Sequence, residues 1–134
     1  MSSTKSSPKL RMSDASLDAL VRSFYGEVRA DPELCPIFER HVGSSSDAWE
    51  PHLRRMVAFW QTMLLQKPLY RGNPLARHRA IHDIQPAHFD RWLELFEEAA
   101  REHFDSYTAT YVVGRARKMR EHLSRHLFEP EEAP

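Results

Sequence analysis

Apolar positions in this chain recur with helical spacing, and no stretch alternates with period two over a useful length. Leu17, Leu20, Val21, Phe24 and Val28 form the first run, with Tyr25 at the edge of the stripe and Ser13 or Ser16 placed as the cap. Asp31-Pro32 then turns the chain into a short apolar piece, Leu34 to Phe38, ahead of His41. Gly43 and Ser44 to Ser46 make a loop, and Asp47 is placed to cap a helix from about Ala48 to Leu65. That helix carries Trp49, Leu53, Met56, Val57, Trp60, Met63 and Leu64 on its stripe, and tolerates Pro51 in its first turn. His52 follows Trp49 by three residues and precedes Met56 by four, so it shares their broad face. Pro86 opens a third long helix with Phe89, Trp92, Leu93, Phe96, Ala99, Ala100 and His103 or Phe104. Asp105 or Ser106 begins the last, with Tyr111, Val112, Ala116, Met119, Leu123 and Leu127. The pattern predicts an all-α fold.

Between the second and third long helices lies Tyr70 to Ile84, YRGNPLARHRAIHDI, which breaks a helix at Gly72 and restarts one at Pro74. Pro74 suits a first helical position, and Asn73 can cap it. The short helix holds His78 on the same side of the turn as Pro74, with His82 one turn further on. An imidazole on a short, anchored helix facing aromatic neighbours is the arrangement a haem iron needs on its proximal side. The same spacing also suits a satisfied or solvent-facing histidine.

Composition narrows the classes. With 134 residues the chain is one domain, read as residues 16–128, with tails at 1–15, Ser-rich over its first 13, and at 129–134, acidic and frayed. Lys plus Arg and Asp plus Glu are both 19, so no charge footprint for nucleic acid or an anionic membrane is present. No segment has the length of a membrane span, and MSSTKSSPKLRMS lacks a signal-peptide core, which reads as a cytoplasmic protein. One cysteine, Cys35, excludes an internal disulfide, and without CxxCH there is no c-type haem attachment. No internal repeat or sustained heptad pattern is evident.

Other chemistries lack their residues. No Glu stands three residues before any of the eight histidines, which argues against a di-iron carboxylate bundle. His122 and His126 sit among Arg120, Glu121 and Arg125 and read as a solvated face. Neither a phosphate loop, a GxSxG elbow nor HExxH occurs, and Cys35, between Leu34 and Pro36, reads as a small buried residue. The aromatics, Phe24, Tyr25, Phe38, Phe59, Trp60, Phe89, Trp92 and Phe96, suit an ordinary core. Yet Tyr25, His52 and Trp92 bring hydrogen-bond donors on three largely apolar faces, and buried donors need a partner. Together they can converge on one small polar ligand.

The strings FYGEVRADPELCPIF at 24–38, WEPHLRRMVAFWQTMLL at 49–65, YRGNPLARH at 70–78 and HFDRWLELFEEA at 88–99 resemble the group III truncated haemoglobins, in order over about residues 17–127. The Gly-Gly motifs of other truncated haemoglobins are absent, as that group requires. The resemblance implies a two-over-two helical sandwich around one non-covalent haem b (iron protoporphyrin IX). It makes His78 the proximal iron ligand, in preference to His82 and His88, and lines the distal side with Tyr25, His52, Met56 and Trp92. Phe38, Tyr70, Leu75, Phe89 and Leu93 are then expected against the porphyrin, and Arg77, Arg79 and Arg54 within reach of its propionates. The implied function is reversible binding of a small diatomic ligand, O2, CO or NO. Two alternatives stand beside it: a redox role as a nitric-oxide dioxygenase or peroxidase-like enzyme, served by a reductase, and a haem-free helical interaction domain.

Overall fold

The computed structural model describes residues 10–128. Within them the chain forms α1 (Asp14–Ala30), α2 (Cys35–His41), α3 (Ser46–Leu65), α4 (Pro74–Arg79), α5 (Pro86–His103) and α6 (Ser106–Phe128), with no strand among the described residues. The all-α expectation holds. Of the two expected tails, residues 1–9 and 129–134 lie outside the described residues. Residues 10–13 are tied down: the Arg11 N–H donates to Thr108 Oγ1 at 3.0 Å and Met12 packs on the core.

Four of the six helices, α1, α3, α4 and α6, start where a side chain satisfies one of their first N–H groups. Ser13 and Ser16 cap α1 reciprocally, the Ser16 N–H donating to Ser13 Oγ at 3.1 Å and the Ser13 N–H to Ser16 Oγ at 2.8 Å. The short apolar piece is a helix, because the Asp31 carboxylate accepts from the N–H groups of Glu33 and Leu34 at 3.1 and 3.0 Å. Ser45, rather than Asp47, caps α3, accepting from the Ala48 N–H at 3.1 Å. Asp47 instead occupies the first turn, where its charge complements the helix dipole. Asp105 accepts from the Thr108 N–H at 2.8 Å at the head of α6.

Helices α1 and α3 pair on one side and α5 and α6 on the other, with α1 also packed on α5 and α4 lying against α6. An aromatic stack joins the two layers. The Trp92 and Phe96 rings are nearly parallel at 5.0 Å, Trp60 lies over Phe96 at 5.0 Å, and Phe24 meets both α5 rings edge-on. Two stripe positions differ from expectation. Tyr111 is 38% exposed while Thr108, Ala109 and Val113 are buried, and on α5 Leu95 is more buried than Leu93.

Candidate functional site

The layers do not close completely. Among all six helices, chiefly α2, α3, α4 and α5 with Tyr25 of α1 and Met119 and Leu123 of α6, they leave an apolar cavity of about 380 Å³, in the range of ordinary ligand pockets. One wall is built on α4. Asn73 Oδ1 accepts from the Ala76 N–H at 3.1 Å and Pro74 fixes the first turn, so this six-residue helix has a defined start. His78 lies one turn later with its Nδ1 2.7 Å from the Pro74 carbonyl oxygen. A carbonyl only accepts, so Nδ1 carries the hydrogen and Nε2 is left with a lone pair. Burial pushes the His78 pKa down, opposed by the Pro74 hydrogen bond, and the ring lies 5.6 Å from Phe89.

The other wall gathers the three donors. Tyr25 is buried, and desolvation pushes its hydroxyl up to about 12 while a hydrogen bond from Trp92 opposes the shift. Tyr25 therefore keeps its proton at neutral pH. His52 stands edge-on to Tyr25 at 5.2 Å and to Trp49 at 5.3 Å. Burial, with Arg55 adding repulsion, lowers its pKa to about 4, so the ring is neutral. Its Nε2 is buried without a hydrogen-bond partner among the described residues. An orphaned polar atom beside a cavity is the feature a bound polar group would resolve.

Eight of the ten site residues expected from the sequence line this one cavity: Tyr25, Phe38, His52, Met56, Tyr70, His78, Phe89 and Trp92. Leu75 is half-buried on α4 and Leu93 packs on the core, and neither reaches it. His88 borders the cavity, but its Nδ1 accepts from the Gln85 N–H at 2.9 Å, which makes it part of the α5 cap. His82 is exposed, 6.4 Å from the His41 ring. Among the described residues no three His, Cys, Asp or Glu side chains stand close enough to hold a bare ion. A metal held here by His78 must bring further donors of its own, as a porphyrin does.

A family model described as bacterial-like globin matches residues 13–125. The chain belongs to the bacterial-like globins. A group 3 truncated hemoglobin (ctb) of Campylobacter jejuni is 32% identical over 114 residues, a match covering 85% of this chain and 90% of that one. The crystal structure of the group III truncated hemoglobin from Campylobacter jejuni aligns with a TM-score of 0.86 at 29% identity, over 92% of this chain and 97% of that chain. This globin is thus a group III truncated haemoglobin with the two-over-two fold, and the family binds haem.

Sequence reasoning missed part of this globin's cavity wall. Arg55 and Arg120 border it, as does Arg77, whereas Arg79 is exposed away from it and Arg54 is engaged by Glu50 at 3.1 Å. The signal for Arg55 was present, since it follows His52 by three residues on the same helix face. Ile81 and Ile84 also line the cavity, from a turn that carries no helical period to reveal them.

Proposed function

We propose that this globin holds one non-covalent b-type haem with His78 as proximal ligand and binds a diatomic ligand, O2, CO or NO, beside Tyr25, His52 and Trp92. The observation that carries this is the pair of opposed walls: an imidazole with Nδ1–H tied to a carbonyl on one side, and protonated Tyr25 with the unpaired His52 Nε2 on the other. Haem, when bound, supplies an iron with one position open to a small ligand. The rest is the work of this chain. The Pro74 carbonyl fixes the His78 tautomer and makes Nε2 the better electron donor. Met56, Phe38 and Phe89 line the cavity and exclude water, and Arg55 and Arg77, which border it, would pair with the propionates of a bound haem. Tyr25, kept protonated by burial, has a hydroxyl proton to donate to a partly charged ligand.

That donor arrangement also favours the second reading, a redox role such as nitric-oxide dioxygenase or peroxidase-like chemistry. Donors that grip a charged diatomic ligand slow its release, which suits reaction better than delivery. A haem-free interaction domain leaves the orphaned His52 nitrogen unexplained. The test is haem content after purification and the rate of haem transfer to a scavenger. His78→Ala is expected to lose most of its haem while His82→Ala and His88→Ala retain it. Equal retention by His78→Ala would refute the assignment.

A further inference from the structure

The chain is formally neutral, but its charges are unevenly spread. Between Glu50 and Asp83 there is no carboxylate, and the same stretch carries Arg54, Arg55, Lys67, Arg71, Arg77 and Arg79. It comprises most of α3, the connection after it and α4, the part of the chain that contributes His52, Tyr70 and His78 to the cavity. Glu50 satisfies Arg54 at 3.1 Å and Asp14 satisfies Lys67 at 2.7 Å. Arg55, Arg71, Arg77 and Arg79 are exposed and form no ion pair among the described residues. Elsewhere carboxylates are interspersed with the cations: Arg22, Arg40, Arg91, Arg101, Arg117 and Arg120 each meet one, while Arg11, Arg29, Arg115, Lys118 and Arg125 form no ion pair among the described residues. In the same stretch Leu69 is 53% exposed, an apolar residue set between Lys67 and Arg71.

We propose that this face, with Leu69 as its apolar contact and Arg71 and Arg79 as its charged rim, docks an acidic one-electron carrier protein beside the haem pocket. The proposal rests on the haem-binding reading above. Arg55 and Arg77 border the cavity, and two propionates there would neutralise them, which leaves Arg71 and Arg79 to face a partner. An apolar contact inside a charged rim is the anatomy of a protein interface, and small charge-steered interfaces suit transient electron transfer. A second copy of the chain is disfavoured, because a two-fold contact would set these arginines against themselves. Polyanions are disfavoured by the zero net charge. The step is a transfer of one electron: the carrier is oxidised by one electron, ferric iron becomes ferrous, and no bond forms or breaks.

The test uses the ferric holo-protein with a flavodoxin as the acidic probe. Binding of the oxidised probe is measured by calorimetry, and reduction by its hydroquinone by anaerobic stopped-flow, both across a range of ionic strength. Binding and rate are expected to fall as salt rises. The double variant Arg71→Glu/Arg79→Glu is expected to bind roughly tenfold more weakly, or worse, at low salt. Its Soret band and its reduction by dithionite should stay close to wild type. Leu69→Ser should weaken binding and leave the salt dependence intact. Salt-independent binding, or a double variant equal to wild type, overturns the proposal. Tighter binding to phosphatidylserine vesicles or duplex DNA than to the flavodoxin also overturns it. A protein that takes up no haem refutes the underlying reading as well, whereas a normal holo-protein indifferent to these charges refutes this surface alone.

Discussion

A Cβ built at Gly72 would lie 2.3 Å from the Tyr70 hydroxyl and 2.5 Å from its ring, although Gly72 needs no left-handed backbone. The glycine is required by the ring that folds over it. Tyr70 stands perpendicular to Phe59 at 5.2 Å and forms part of the cavity wall, so a methyl group at 72 must push that wall inward. Overpacking of this kind costs about 1–3 kcal/mol. Gly72→Ala is expected to speed haem loss in the wild-type background and to have little effect in a Tyr70→Leu background. Equal effects in both would mean that the glycine serves the backbone instead. The donors give a second prediction. Tyr25→Phe removes one hydrogen bond to a charged acceptor, on the order of 1–3 kcal/mol, so oxygen should dissociate roughly five- to a hundredfold faster and carbon monoxide much less so. Because Tyr25 and Trp92 line the same cavity, Trp92→Phe should add little once Tyr25 is Phe if both donors serve one ligand atom. Full additivity of the two dissociation rates would mean that the donors act separately. At this scale the short helix that carries His78 was legible from Asn73 and Pro74, while the ligand role proposed for His78 came from the family resemblance and not from spacing. The state of His52 was not legible, since its neutrality and its unpaired Nε2 come from burial by residues distant in the chain.

Helix periods located every long element because each buries one stripe against the other layer. Their ends were read less well. Ser45 and Asp47 are both good caps, and local chemistry does not choose between them. The identity of α2 as a helix depends on Asp31, which is held from α5 by Arg91 at 2.9 Å. Burial raises the Asp31 pKa, but Arg91 and two backbone N–H groups outweigh it and hold the carboxylate ionised. A second carboxylate straps α2 from the other direction. Asp83, in the turn before α5, accepts from Arg40 Nε and pairs with His41 Nε2, each at 2.7 Å, and its pKa is held down at about 2. These groups are largely exposed, so the strap contributes little to global stability. It does close the cavity edge lined by His41, Ile81 and Ile84. Asp83→Ala is therefore expected to leave the melting temperature nearly unchanged while amide exchange over residues 80–85 becomes faster. Unchanged exchange would mean that the turn is held by packing alone.

The molecule as a whole trades closure of its core for a cavity, and its stability should show it. Haem filling that space adds stability by mass action, so the apo-protein should melt well below the holo-protein. Without haem, His52 sets a pH dependence. Its imidazole is held neutral down to about pH 4 when folded, against 6.5 for the free side chain. Between those values the unfolded chain binds a proton that the folded chain refuses, so acid favours unfolding. The contribution is complete above about pH 6.5, shrinks as the pH falls, and is gone near pH 4; on the scale of 1.36 kcal/mol per pKa unit it amounts to roughly 3 kcal/mol. His78, also lowered by burial, acts with the same sign, so the wild-type curve alone does not isolate His52. The comparison with His52→Gln does, because glutamine keeps polar atoms in place and removes the titration. Denaturant unfolding of the two apo-proteins from pH 7 to pH 4 should show the wild type losing stability relative to the variant by about that amount. A constant difference across the range would mean that His52 takes up its proton in the folded state, with the ring turned out to water. The cavity would then lose the orphaned nitrogen on which its distal assignment partly rests.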